Sequence, residues 1–159
     1  FRFINWESDG IINLVKKILF WISYWFPPIF LMGFIFYLSS RPSFAMVENY
    51  WLNFLVFKTL HFCEYALLFI LWFRALNNRK EKNRSSQLWR AFILSFFWAV
   101  TDEVHQLFVP TREGKIRDIL IDTVGIFFAL YLIKRILPRT PKKLRRLVNK
   151  LGIWKKRQF

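Results

Sequence analysis

Both histidines of the chain, His61 and His105, stand one helical turn from a carboxylate, in His61-x-x-Glu64 and Asp102-x-x-His105. A carboxylate and an imidazole three residues apart share a helical face. Helix bundles hold zinc or iron in this way, and the same spacing can orient a histidine as a general base. On the metal reading His61, Glu64, Asp102, His105 and Asp122 are the ligands, and zinc or another divalent ion is the cofactor. The sequence as a whole demands no cofactor, and two histidines without a cysteine partner make a modest metal signal.

A second set of residues is cationic: Arg41, Lys58, Arg112, Lys115 and Arg117. A guanidinium grips phosphate through two parallel hydrogen bonds, so this set points to an anionic headgroup. If the chain is an enzyme, its chemistry is hydrolysis or transfer at a phosphorylated lipid headgroup. His105 is then the base, oriented by Asp102, while Arg112 and Lys58 hold the phosphate. No serine or cysteine sits in a nucleophile motif, and Cys63 reads as packing. Two plainer accounts compete: cations near helix ends often only snorkel, and Asp102, His105, Asp122 and Arg112 can satisfy one another as a structural tie.

These residues sit in unusual surroundings. The chain of 159 residues is 55% hydrophobic and 21% aromatic, yet carries 25 Lys+Arg against 10 Asp+Glu, a formal charge of +15. A disordered basic chain lacks such apolar content, and a soluble basic globule of this size seldom holds 20 Phe and 8 Trp. A membrane protein with basic ends fits both facts. Nucleic acid is not needed to explain the basic tail.

Four apolar runs, over 18–38, 51–73, 88–109 and 119–137, are long enough for a hydrocarbon core of ~30 Å at ~1.5 Å per residue. The expected fold is therefore all-α, an integral membrane bundle of four transmembrane helices with amphipathic N- and C-terminal segments. The first of these is an interfacial stretch over 1–17 and the second a basic tail over 138–159, in which Leu144, Leu147, Val148, Leu151 and Trp154 recur at helical spacing. Pro27-Pro28 should kink or break the first span, because two backbone donors are lost.

Orientation follows from the basic residues. Arg74, Arg79, Lys80, Lys82, Arg84 and Arg90 face one acid, Glu81, between the second and third runs, and the tail has no acid at all. Loop and tail should be cytoplasmic, with the N-terminus and its Lys16 and Lys17 on the same side. The connections 39–50 and 110–117 then open outward.

An ionisable group in hydrocarbon costs roughly 2.5 kcal/mol or more, so it should face a partner or a wet cavity. Lys58, His61, Glu64 and Tyr65 share one face of the second span; Asp102, His105 and Gln106 share one of the third, with Glu103 pointing elsewhere. Asp118, Asp122 and Gly125 line the fourth, where Gly125 and Ala129 allow another helix close. By helical rise Asp102 and His105 lie ~6 to 11 Å below the outer surface and His61 ~15 Å. An outward-opening pocket accounts for all of them.

The pattern is familiar. Phe36-Tyr37-Leu38-Ser39-Ser40-Arg41-Pro42, Lys58 with His61 and Glu64-Tyr65, Asp102-Glu103-Val104-His105-Gln106-Leu107-Phe108-Val109-Pro110 with Arg112, and Asp118, Asp122 and Gly125 resemble the VanZ-like membrane protein family. The resemblance runs from about Leu31 to Ala129 and is most specific from Asp102 to Gly125; it implies a VanZ-like transmembrane domain over 1–137. It further implies a bacterial cell-envelope protein of the cell membrane, multi-pass, with both termini cytoplasmic. Through the family comes a link to resistance to the glycopeptide teicoplanin, the antibiotic being affected indirectly. The implied partners are membrane lipids and lipid-linked wall precursors, met by Arg41, Lys58, His61, Glu64, Gln106, Arg112, Asp118 and Asp122. The family commonly has Pro-Gly-Arg where this chain has Pro110-Thr111-Arg112, so the turn is expected to differ, with Gly114 supplying a positive φ instead.

Overall fold

The computed structural model describes residues 6–42, 49–77, 83–112 and 114–153, with the backbone alone for 6–9. Its elements in chain order are α1 (Trp6–Ser39), α2 (Tyr50–Asn77), α3 (Arg84–Gln106), α4 (Ile116–Tyr131), a π-helical turn (Leu132–Ile136), a 3-10 turn (Leu137–Arg139) and α5 (Lys142–Lys150). The fold is all-α, with two stretches long and apolar enough to cross a membrane, Gly10–Ser39 and Tyr50–Asn77. By the same measure α3, with Arg84, Arg90, Asp102 and Glu103 among its 23 residues, and α4, with 16, fall short. Arg79, Lys80, Glu81 and Lys82 of the basic loop, and Trp154, Lys155, Lys156 and Arg157 of the tail, lie outside the described residues.

α2 is central, packing most extensively on α4 and then on α3 and α1. Tyr65, Leu68, Phe69 and Phe73 of α2 are sealed against Ala91 and Ala99 of α3 and Ile126 and Ala129 of α4. Gln87, Ser95, Asp102, Glu103 and Asp122 are buried alongside them. The outer surface carries Trp21 and Phe30 from α1, Leu55 and Leu67 from α2, Ile93 and Phe97 from α3, and Leu120 and Phe127 from α4. Carboxyls inside and large apolar side chains outside are the reverse of what water selects, and they match a hydrocarbon surround.

The first helix departs from expectation at both its start and its middle. No separate interfacial segment exists among the described residues: α1 is continuous from Trp6, and its 34 residues span ~51 Å, well beyond a bilayer core. It also runs unbroken through Pro27 and Pro28. Proline at position 27 deprives the Ser23 carbonyl of its helical donor, and Arg74 of α2 supplies a replacement, Nη1 to Ser23 O at 2.7 Å.

Arg74 also ties down the tail. α5 ends in a Schellman motif: Ile153 N–H donates to Val148 O at 3.2 Å and Gly152 N–H to Asn149 O at 3.0 Å, with Gly152 at φ 75°. The Leu151 carbonyl left over accepts Arg74 Nε at 2.6 Å, and the guanidinium lies 4.3 Å from the centre of the Tyr24 ring. A side chain at Gly152 would meet Tyr24 Oη at 2.6 Å. One arginine thus joins α1, α2 and α5. Arg74→Ala should therefore lower stability by about 2 kcal/mol, the worth of one or two charged hydrogen bonds to backbone carbonyls, read as a reduced melting temperature in detergent. An unchanged melting temperature would remove this clasp from the account.

Two boundaries fall short of the sequence expectation because of proline. α3 ends at Gln106, and the chain tightens through Phe108 N–H to His105 O and Val109 N–H to Gln106 O. Pro110 disfavours helix at the residue before it. Pro138, unable to donate to Lys134, ends regular α4 early: the last turn widens so that Leu137 N–H bonds Leu132 O, five residues back.

Candidate functional site

At the Tyr50 end of α2 two hollows adjoin. The larger, of about 280 Å³, lies between α2, the α3–α4 loop and the start of α4; Asn53, Lys58, His61, Gln106, Arg112, Lys115, Arg117 and Asp118 contribute its polar lining, with Tyr50 and Thr111 at its edge. The smaller, of about 110 Å³, lies between the end of α1 and α2, with Ser39, Arg41, His61, Glu64 and Arg112 among Ile35, Leu38, Phe57 and Leu60. His61, Phe57 and Arg112 line both, so the two form one cleft with a shared wall.

Each side chain is positioned by an identifiable local cause. Lys58 and His61 are three apart on α2, Asp118 and Asp122 four apart on α4, and the two helices run side by side in the same direction. Lys58 Nζ meets Asp118 Oδ2 at 2.7 Å, whereas His61 Nδ1 stands 3.7 Å from Asp122 Oδ1, too far for a hydrogen bond. The difference follows from helical rise: three residues advance ~4.5 Å and four ~6 Å, so the second pair is out of step with the first. Arg117 Nε also approaches Asp118, at 3.4 Å.

Close approach of α2 and α4 depends on Gly125, as its spacing predicted. A Cβ there would lie 2.4 Å from the Phe62 carbonyl oxygen. Ala129 is buried one turn further on.

Arg112 donates Nε to Arg41 O at 3.0 Å and Nη2 to Leu38 O at 3.1 Å. Both carbonyls are at or just past the end of α1, where a helix leaves acceptors without donors. The arginine therefore fixes the α3–α4 loop to α1, and its side chain lines both hollows. Arg41 bonds the Tyr37 hydroxyl and lies 4.6 Å from the centre of that ring.

The Asp102–His105 pair expected from their spacing does not form. Each side chain takes a serine at the end of α1 or just past it: Asp102 Oδ2 accepts Ser39 Oγ at 2.9 Å and Gln106 Nε2 at 3.0 Å, while His105 Nε2 lies 3.0 Å from Ser40 Oγ. Ser40 gives its single proton to the Phe36 carbonyl at 2.7 Å, so Nε2 of His105 is the donor in that contact. His105 further stacks on Phe36, with ring centres 4.1 Å apart, and lines neither hollow. The imidazole on the cleft is that of His61, and the carboxylate behind it is Asp122. Ser39 and Ser40 were not singled out as site residues from sequence; their position at the end of an apolar span was the available signal.

Glu103 points away from Asp102 and His105, toward the α3–α4 loop, where Oε2 accepts the Lys115 N–H at 3.0 Å. Among the described residues no three His, Cys, Asp or Glu side chains stand together as a metal would need. The five ligands of the metal reading are thus not assembled into one set.

The turn at Pro110-Thr111-Arg112 keeps the geometry a glycine would give it. Thr111 itself stands at φ 67°, in the left-handed region, and Gly114 does not. Gly114 serves a different need, because a Cβ there would lie 2.4 Å from the Glu103 carbonyl oxygen. The strained threonine is held by Arg112, whose N–H bonds Val109 O at 3.1 Å and whose side chain is anchored to α1. Thr111→Gly should relieve the left-handed penalty and raise stability by about 1 kcal/mol, or a few degrees in melting temperature. A lower melting temperature for that variant would contradict the strain.

An apolar-sheathed helical bundle with buried carboxyls and a cationic cleft at one end is, as a class, an integral membrane protein with a polar site. The VanZ/LLP1 family model matches residues 20–137, and the chain belongs to that family. No curated protein and no solved structure matches it. The matched span takes in every cleft residue and stops before α5.

Proposed function

We propose that this VanZ-family protein is multi-pass, with α1 to α4 crossing the cell membrane and both termini cytoplasmic, and that its outward cleft recognises the phosphate-bearing headgroup of an anionic lipid or lipid-linked wall precursor. Large apolar side chains on the outside of α3 and α4, namely Ile93, Phe97, Leu120 and Phe127, support crossing by those helices despite their buried acids. Basic residues at the Arg74 end of α2 and along α5 support that end as the cytoplasmic one.

The observation that carries the headgroup reading is the lining of the larger hollow. Among the described residues on its wall, Lys58, Arg112, Lys115 and Arg117 accompany one carboxylate, Asp118. A surplus of cations in a confined, partly desolvated space favours a phosphate, and the planar guanidinium of Arg112 suits it best. The smaller hollow, walled by Ile35, Leu38, Phe57 and Leu60, leads from Arg112 into the gap between α1 and α2, which suits the first carbons of a lipid chain. Holding such a precursor at the surface would bear on glycopeptide action indirectly, in keeping with the family's association.

Recognition is the core of the reading. Should turnover accompany it, His61 rather than His105 is the base in position, with Asp122 behind it. The test is mass spectrometry of lipid carried through purification. A phosphate-headed lipid retained by the native chain and lost on Arg112→Ala supports the cleft; equal retention by both counts against it.

A further inference from the structure

At the opposite end of α2 lies a hollow of quite different character. It occupies about 230 Å³ between Ile70 of α2, Ile133 and Ile136 of the π-helical turn, Leu144 and Val148 of α5, and Ile153 beyond it. Among the described residues on its wall the one polar side chain is Thr140, whose hydroxyl is spent on the Leu137 carbonyl at 2.8 Å. The rest of these side chains are apolar and suit hydrocarbon.

Beside the slot runs an uncompensated line of positive charge. α5 contributes Lys142, Lys143, Arg145, Arg146 and Lys150, and no acidic residue follows Asp122 anywhere in the chain. The roof is also built rather than frayed, because the Schellman turn at Gly152 and the bond from Arg74 to Leu151 O fix the end of α5 to α1 and α2. The slot exists because Pro138 displaces the end of α4 into a widened turn, so α5 packs over a gap instead of continuing the helix.

We propose that this slot and the basic face of α5 together bind one anionic phospholipid of the cytoplasmic leaflet, an acyl chain in the slot and the phosphate on the α5 cations. The site is separate from the outward cleft, takes its roof and its cations from α5, past the end of the family match, and goes beyond loose adsorption of a basic helix to charged headgroups. Adsorption would be indifferent to the shape of the slot. A bound lipid depends on it.

The test compares phosphatidylglycerol with phosphatidylcholine, each titrated into delipidated full-length protein in neutral detergent and followed by native mass spectrometry. In an Arg112→Ala background, where the outward cleft no longer holds a headgroup, one phosphatidylglycerol per chain should bind ~10-fold or more tightly than phosphatidylcholine, since each nearby cation adds attraction. Val148→Trp and Leu144→Trp, each filling the slot from α5, should reduce phosphatidylglycerol binding ~10-fold at unchanged net charge. Arg145→Gln with Arg146→Gln should erase the preference between the two lipids. The slot variants are read in that Arg112→Ala background, whereas the cleft reading is tested by the loss that Arg112→Ala itself causes, so failure here and failure of the cleft reading are distinguishable. Equal affinity of the Arg112→Ala chain for the two lipids overturns the proposal without recourse to any slot variant. Full phosphatidylglycerol binding by a folded tryptophan variant overturns it as well, leaving surface adsorption only.

Discussion

Gly125→Ala is expected to destabilise the bundle by ~3 kcal/mol or more, and Gly125→Leu to prevent its assembly. The added Cβ would lie 2.4 Å from the Phe62 carbonyl oxygen, which is backbone and cannot swing aside as a side chain would. To restore ordinary contact α2 and α4 must part by about 1 Å along their most extensive interface. That shift would also open the Lys58–Asp118 ion pair, now at 2.7 Å, and lengthen the gap between His61 and Asp122. Within a membrane, where helices gain no hydrophobic drive toward one another, close backbone contact supplies much of the association. Melting temperature and the monodisperse fraction in detergent are the measurements. A Gly125→Leu protein that melts with the native chain would show that α2 and α4 do not meet here.

Arg112→Ala should weaken binding of a phosphate-headed lipid ~100-fold, and Arg112→Lys ~10-fold. The larger figure corresponds to about 2.7 kcal/mol, within the range for losing a charge-assisted hydrogen bond in a confined site. Lysine keeps the charge, but it cannot bond two carbonyls at the end of α1 and still present a fork to phosphate. Because Arg112 also ties the α3–α4 loop to the end of α1, the alanine variant should lose some stability. The lysine variant separates the two effects, since a purely structural arginine would predict equal binding by every variant that folds. Lipid titration in detergent, with melting temperature recorded in parallel, decides between them. Undiminished affinity in Arg112→Ala would sink the headgroup reading.

Periodicity made the lateral arrangement legible in the sequence. Residues three and four apart share a face, so Lys58 with His61 and Asp118 with Asp122 could be assigned to facing stripes, and Gly125 and Ala129 marked the close contact beside them. Periodicity does not give the partner across the interface. Asp102 and His105 share a face of α3, yet both turn to the end of α1, where the adjacent Ser39 and Ser40 take one each. Of the kink or break expected at Pro27-Pro28, the break does not occur: the donor that answers Ser23, Arg74, is 51 residues away, and no local pattern reveals it. At Thr111 the conformational argument was sound but misplaced, because tertiary anchoring by Arg112 imposed the left-handed turn on a threonine rather than moving it to Gly114.

The unequal spacing of the two facing pairs carries a mechanical consequence. Like the two scales of a vernier, α2 and α4 carry marks of different pitch, so only one mark aligns at a time. With Lys58 and Asp118 coincident, His61 and Asp122 stand apart. An axial slip of about 1.5 Å, one residue's rise, exchanges which mark coincides, and a movement that small trades one contact for the other.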